Sequence, residues 1–183
     1  FREKGIKIFG PSKKASTLES SKCFAKEFMK KYGIPTADFS LSDNLSESIK
    51  IIENEEVPFV IKFDGLAAGK GVRIINSFEE GKEYLIDIFE KNIFGSESPR
   101  VVIEKCLSGV EISYFIFTDG KDYIPMVPAQ DYKRVFDDDK GPNTGGMGSY
   151  SMEDHLLPFL KKRDVEEAEK IRTCLGRKTR RGS

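Results

Sequence analysis

Between Pro58 and Ile75 the chain reads as two β-branched, apolar runs, Phe59-Val60-Ile61 and Val72 to Ile75, held apart by Gly65-Leu66-Ala67-Ala68-Gly69-Lys70-Gly71. No other stretch limits the fold as tightly. Valine, isoleucine and phenylalanine on both sides of a glycine cluster predict strand, turn, strand. Gly65, Gly69 and Gly71 permit positive φ and keep Cβ atoms away from an approaching group. Successive free amides in such a turn make a concavity for an anion. Lys62 and Lys70 add positive charge beside it. A polyphosphate suits that arrangement, and an ordinary tight hairpin with a solvated lysine is the plainer alternative. The P-loop pattern does not fit: three residues separate Gly65 from Gly69, Gly71 stands in the Ser/Thr place, and a strand is predicted to follow. The dinucleotide fingerprint lacks its third glycine.

The chain has 183 residues, 38% hydrophobic and 33% charged, the balance of a globular protein of one domain or a bilobal piece of a larger one. Thirty basic and thirty acidic residues cancel, so no overall field draws in nucleic acid or an anionic membrane. No apolar run approaches the roughly eighteen residues of a membrane span, and no signal-peptide pattern is visible. Three scattered cysteines, Cys23, Cys106 and Cys174, argue against a disulfide framework or zinc site and fit a reducing, cytoplasmic setting. The tail from Gly176 to Ser183 is basic and lacks apolar periodicity. It is expected to lie outside the fold.

In chain order, Ile6 to Phe9 is expected to form a strand. A helix is predicted over about Ser16 to Tyr32, stopped by Gly33, with Ala25, Phe28, Met29 and Tyr32 on its apolar face and Phe24 beside it. Lys22, in its first turns, reads locally as a solvated lysine. Ile34 to Phe39 is expected to be extended because Pro35 disfavours helix before it. Asp43 to Glu55 reads as a helix with Leu45, Ile49 and Ile52 inward and Asn44/Glu47 as a capping box. Ser77 to Glu80 opens a helix running to about Asn92, with Phe78, Leu85, Ile88 and Phe89 inward. Val101 to Leu107 predicts a buried strand. The order β, α, β, β, α, β between Ile34 and Leu107 predicts a small sheet covered by two helices, compact enough to move as a lid.

Two further strands, Glu111 to Thr118 and Tyr123 to Pro128, are predicted to join at Asp119-Gly120. Ala129 to Arg134 and Asp137 to Gly148 read as a long irregular loop, the kind that is functional or disordered. Its four glycines, with Asn143 and Thr144, suggest a second amide cradle for an anion. Asp137 to Asp139 reads as a solvated acidic run. Glu153 to Cys174 reads as polar helix with Pro158 near its start, and His155, the sole histidine, as a surface residue.

Taken together, Leu18-Glu-Ser-Ser-Lys22, Pro35-Thr36, Val60 to Val72, Glu104 to Glu111, Gln130-Asp-Tyr-Lys-Arg134 and Gly141-Pro-Asn-Thr-Gly-Gly-Met-Gly-Ser-Tyr150 resemble the ATP-grasp superfamily. Within it they are most similar to glycinamide ribonucleotide synthetases, also called phosphoribosylamine–glycine ligases, in register from about Gly5 to Glu169. The resemblance implies an incomplete α+β ATP-grasp fold. Its parts would be the end of an N-terminal lobe with a connecting helix (1–34), a lid subdomain (35–104), part of the larger antiparallel-sheet subdomain (105–175) and a tail (176–183). It implies an enzyme that joins glycine to 5-phosphoribosylamine at the expense of ATP in purine biosynthesis, through a glycyl phosphate. A carboxylate accepts an amine only after its oxygen has become a leaving group, and cationic groups must offset the charge that develops on transfer.

By the same resemblance, Lys22 and Lys62 would hold ATP phosphates while Gly65, Leu66, Ala67, Ala68, Gly69, Lys70, Gly71 and Val72 close over them as a flap. Glu104, Lys105 and Leu107 would receive adenine, largely through backbone groups, and Glu111 the ribose hydroxyls. Gln130, Asp131, Lys133, Arg134, Asn143, Thr144, Gly145, Gly146, Met147 and Gly148 would lie near the glycine and phosphoribosylamine pocket. The resemblance makes Lys62 and Arg134 the catalytic candidates, and leaves open whether Arg134 or the glycines take the ribose phosphate. The family's Arg-Phe-Gly-Asp-Pro-Glu signature and its later Mg²⁺-binding Glu and Asn are absent from this sequence. The chain is therefore expected to be the middle of the enzyme, with Mg²⁺ ligands elsewhere and little activity alone. Fusion or association with other purine-pathway activities is compatible with that reading. A nucleotide-binding module, or another ATP-grasp carboxylate–amine ligase, remains the alternative.

Overall fold

The computed structural model describes residues 2–65, 67, 70–119, 121–138, 140–153 and 156–178, without the side chains of Arg2, Asn143 and 172–178. The chain divides into two units, residues 1–29 with 37–106 and residues 30–36 with 107–183.

The first unit is built on a four-stranded antiparallel sheet in the order β1-β4-β2-β3, where β1 is Phe39–Ser42, β2 Phe59–Phe63, β3 Val72–Ile75 and β4 Val101–Lys105. Strand alternation gives its two faces different tasks. Phe59, Ile61, Phe63, Ile75, Val101 and Ile103 share one face and pack with Ile52 of α3 (Leu45–Ile52) and with Tyr84, Leu85 and Ile88 of α4 (Phe78–Phe89). This is the core of the unit, and the expected sheet under two helices is present. At Gly81 the packing is so close that a Cβ would sit 3.2 Å from Ile52, Ile75 and Phe59. Asn44 Oδ1 accepts the Glu47 amide at 2.8 Å, and Ser77 Oγ accepts that of Glu80 at 3.2 Å, so both predicted N-caps form. The return bonds differ from a strict capping box. Glu80 accepts from the Asn76 amide, and Glu47 from the side chains of Ser42 and Asn44.

The predicted helix over Ser16 to Tyr32 is divided. Its first turn, α1 (Thr17–Ser20), ends at Ser21 in extended conformation, and α2 (Lys22–Tyr32) starts afresh. Gly33 then takes φ +62°, the left-handed stop expected of it. The buried residues of α2 are Cys23 and Lys26, whereas Ala25, Phe28, Met29 and Tyr32 are half-buried and Phe24 is exposed. Burial therefore follows a different stripe from the apolar one. Ile6 to Phe9 is not a strand: Ile6, Ile8 and Phe9 are 50%, 51% and 74% exposed.

The second unit holds two antiparallel pairs, β5 (Ile116–Thr118) with β6 (Tyr123–Pro125), and β7 (Ala129–Phe136) with β8 (Lys140–Ser151). The first pair is shorter than predicted, and Gly120 of its turn lies outside the described residues. The expected loop over 129–148 is instead a long hairpin. Its register slips between Tyr132 and Arg134 and again between Arg134 and Phe136, and Gly141 and Gly146 take φ +83° and +125°. Those irregularities hide the strand from any period-two pattern. Helix α5 (Lys162–Lys178) starts four residues beyond Pro158. His155 and Asp139 lie outside the described residues. Among the described residues no helix is long and apolar enough to cross a membrane.

Candidate functional site

The second face of the four-stranded sheet carries the charge. Register sets Val60 opposite both Glu104 and Ile74, and Lys62 opposite both Val102 and Val72. Lys62 and Glu104 are thus diagonal neighbours on one face, with Val72 and Ile74, 43% and 40% exposed, beside them. Glu104 is buried next to Val101, Val102 and Ile103 in β4 and needs cationic partners to stay there. It has two: Oε1 meets the ammonium of Lys62 on β2, and Oε2 meets that of Lys26 on α2. Lys26 also lies over the Phe39 ring, 5.4 Å from its centroid. Lys62 is the more open of the two lysines, its side chain 28% exposed against 9% for Lys26.

The glycine-rich turn leaves this sheet between β2 and β3. Phe63 N donates to Gly71 O at 2.7 Å, which extends the strand pairing into the turn. Lys70 N donates to Ala67 O at 2.8 Å. Gly71 is buried, and a Cβ there would stand 2.8 Å from that of Ala67, so the turn closes on itself only with glycine at this position. Gly65 takes φ +143°. Lys70 is exposed; Leu66, Ala68 and Gly69 lie outside the described residues.

Lys22 reaches the root of the turn: its Nζ donates to Gly65 O at 3.0 Å. The contact is set up by Asp64, the residue after β2. Its Oδ1 accepts the Cys23 amide at 3.2 Å and its Oδ2 the Ser21 hydroxyl at 3.1 Å, while Arg100 Nε lies 3.9 Å from Oδ2. Asp64 thus caps α2 from a distant strand. Beneath it the Cys23 thiol donates weakly to Val101 O, and burial, reinforced by the Asp64 carboxylate, pushes that thiol up to about 11. It is a packed thiol and not a nucleophile. Lys105 is exposed and paired with Asp38 at 3.3 Å.

In the second unit Leu107 is 74% exposed. Glu111 accepts from Lys133 Nζ at 2.6 Å, and Asp131 Oδ2 lies 3.5 Å from the same ammonium. The hydrogen bond to Glu111 raises the Lys133 pKa above the usual lysine value. Arg134 Nη1 donates to Gly141 O at 3.1 Å, Thr144 Oγ1 to Lys133 O at 2.8 Å, and Tyr150 Oη to Gln130 Oε1 at 2.7 Å. Gly145, Met147 and Gly148 are exposed along β8, and Gly146 N donates to Thr144 Oγ1. The Asn143 side chain lies outside what is described. Within each unit the expected residues do assemble: Lys22, Lys62, Glu104 and the turn in one, Glu111, Lys133, Arg134 and Thr144 in the other. Lys26 and Asp64 escaped sequence reasoning. The available signal was a carboxylate, Glu104, inside a buried Val-Val-Ile strand, which calls for more than one cation.

Lysines beside a turn that has no room for a Cβ at Gly71 suit a phosphorylated ligand. Among the described residues no group of three or more acidic, histidine or cysteine side chains could hold a metal ion.

Residues 20–176 match the family model described as phosphoribosylglycinamide synthetase, ATP-grasp (A) domain. The chain belongs to this ATP-grasp family. It is 50% identical over 167 residues to a phosphoribosylamine–glycine ligase of Halalkalibacterium halodurans, with 91% of this chain and 39% of the relative covered. It is 46% identical to that of Caldanaerobacter subterraneus subsp. tengcongensis, with 92% and 40% covered. The crystal structure of phosphoribosylamine–glycine ligase from Thermotoga maritima superposes with TM-score 0.80 at 39% identity, covering 92% of this chain and 42% of that one. A D-alanine–D-alanine ligase from Helicobacter pylori, 22% identical with TM-score 0.64 over 95% of this chain and 50% of that one, shares the fold. The chain spans about two-fifths of the length of the curated relatives it matches. These likenesses agree with the α+β ATP-grasp architecture expected from the sequence.

Proposed function

We propose that this chain is the nucleotide-holding middle of a phosphoribosylamine–glycine ligase, an ATP-dependent carbon–nitrogen ligase of purine biosynthesis acting in the cytoplasm. Residues 35–104 serve as the lid, 105–175 as part of the central subdomain, and 1–34 as the end of a preceding lobe. The observation that carries the reading is the half-open Lys62, tethered to Glu104 beside a turn whose closure requires glycine at position 71. Lys22 and Lys62 bind ATP phosphates under the 65–72 turn. The backbone around Glu104, Lys105 and Leu107 takes adenine, and Glu111 takes ribose when released by Lys133. Gln130, Asp131, Lys133, Arg134 and residues 143–148 serve glycine and 5-phosphoribosylamine. Mg²⁺ would supply charge neutralisation on phosphoryl transfer, and its carboxylate ligands are assigned to the part of the relatives' length that this chain does not match.

Two measurements test the reading. The chain should bind ATP in titration calorimetry, and Lys62→Met should abolish that binding; no binding, or binding indifferent to Lys62, overturns the assignment. With ATP, Mg²⁺, glycine and fresh phosphoribosylamine it should release no phosphate above background, and steady turnover would refute the assignment of essential parts elsewhere.

A further inference from the structure

We infer that Lys26 is a positioning residue that sets how much positive charge Lys62 can offer to a ligand phosphate. The inference rests on the proposed role of Lys62. Glu104 stands between two ammoniums, with one carboxylate oxygen toward each. Formally the three groups carry a net charge of +1. Lys26 is the enclosed member, its side chain 9% exposed and held over Phe39, so it faces Glu104 and not the open side of the sheet. Lys62 is the member that solvent, and a ligand, can reach. A buried carboxylate with a single cationic partner would claim that partner fully, because an unpaired charge in this setting is costly. By occupying Oε2, Lys26 supplies half of what Glu104 needs. Lys62 is then left oriented by Oε1 yet only partly neutralised.

Without Lys26 the same Lys62 would be drawn wholly into the pair, and the net charge of the group would fall to zero. The helix that carries Lys26 is capped by Asp64 next to the root of the glycine-rich turn, so one short helix fixes both Lys22 and Lys26. Lys26 touches no reacting atom in this scheme and acts through Glu104.

The readout is the ratio of ATP to adenosine affinity, measured on the 183-residue chain by calorimetry for ATP and by NMR titration for adenosine. Dividing by adenosine removes changes in base binding. Lys26→Met should lower the ratio about tenfold, the order of one charge-assisted hydrogen bond partly lost. Lys26→Arg, which keeps the charge, should hold it near the wild-type value. Lys26→Met combined with Glu104→Gln returns the net charge to +1 and should recover most of the ratio. A merely structural lysine, even one whose loss is relieved by removing the charge of Glu104, would move stability and leave this ratio unchanged. If Lys26→Met melts too early to use, Glu104→Gln alone decides: at net +2 it should raise the ratio, and an unchanged or lowered ratio overturns the inference. A wild-type ratio in Lys26→Met, or no recovery in the double variant, overturns it equally. Failure of the wild-type chain to prefer ATP over adenosine overturns the reading of Lys62 itself, and this inference with it.

Discussion

Asp64 accepts the backbone N–H of Cys23 at 3.2 Å across 41 residues of sequence. A carboxylate at the end of one strand thus joins Ser21, whose Oγ accepts the Phe24 N–H at 3.1 Å and donates to Asp64 Oδ2, in capping the start of α2. Together the extended Ser21 with its own cap and the Asp64 bond mark where the helical run breaks and restarts at Lys22. The Asp64 bond also aligns Lys22 with Gly65, the next residue along from Asp64.

Removal of that cap should cost what helix caps cost. Asp64→Ala is expected to destabilise the chain by about 1–2 kcal/mol in urea unfolding, and to raise amide exchange at Cys23 and Phe24 before the rest of α2. Asp64→Asn keeps an Oδ1 acceptor and should recover most of the loss. Equal stability of Asp64→Ala and wild type would remove the capping account.

The thiol beneath the cap carries a pH dependence whose sign is fixed. Its folded pKa is raised to about 11 from 9.0 by burial and then by the Asp64 charge. Below pH 9 folded and unfolded chains both hold the proton, and the stabilisation is fully present. Between pH 9 and 11 the unfolded chain ionises first, and the stabilisation drains away. The advantage of wild type over Cys23→Ala in urea melts should therefore shrink across that window and stay level from pH 6 to 8. In a Cys106→Ala, Cys174→Ala background, Cys23 should react with a disulfide reagent at pH 8 only as fast as the chain opens.

Gly81 sits mid-helix, where alanine is ordinarily better by about 1 kcal/mol. Packing opposes that gain. An added Cβ meets Ile52 Cδ1, Ile75 Cγ2 and Phe59 Cζ, each at 3.2 Å and each buried in the core, and overpacking of this kind costs about 1–3 kcal/mol. With three neighbours unable to yield in the same direction, Gly81→Ala is expected to lower the melting temperature. A rise would mean that the α4–sheet contact is looser than the structure shows.

What could be read from the sequence follows how local the cause is. The β2–β3 hairpin, α3, α4 and β4 announce themselves by period and caps, because their signals lie within a dozen residues or so. The restart of α2 has a local part, Ser21 as N-cap, and a distant part, Asp64, which anchors Ser21 and takes the Cys23 amide and which no window over Ser16 to Tyr32 contains. Lys26 was hidden for the same reason: its helix offers a more apolar stripe at Ala25, Phe28, Met29 and Tyr32, while burial is decided by Glu104 on a strand that pairs elsewhere. Hairpin β7–β8 was hidden by composition. Glycine is depleted in strands, and two register slips erase the alternation that would have revealed pairing. Lys62, Lys22 and the turn were legible because their residue types, and the family they resemble, point one way.

Gly71 offers the sharpest test of the turn. Its backbone is not in the left-handed region, so alanine is conformationally allowed there, and the obstacle is purely one of space. The new Cβ would stand 2.8 Å from Ala67 Cβ and 3.4 Å from Phe63 Cβ. The first distance cannot persist, and the turn held by the Lys70 N to Ala67 O bond must swing outward to relieve it. Phe63 belongs to the core and Ala67 packs against it, so the stability cost should be about 1–3 kcal/mol. ATP affinity should fall as well, by about tenfold, if the turn amides contribute charge-assisted bonds to phosphate. Deleting the opposing methyl in the double variant Gly71→Ala, Ala67→Gly removes the collision and should restore ATP binding. Calorimetry on the three proteins separates the outcomes: loss without rescue makes Gly71 a general fold requirement, and no loss at all means that the closed turn does not touch the phosphates.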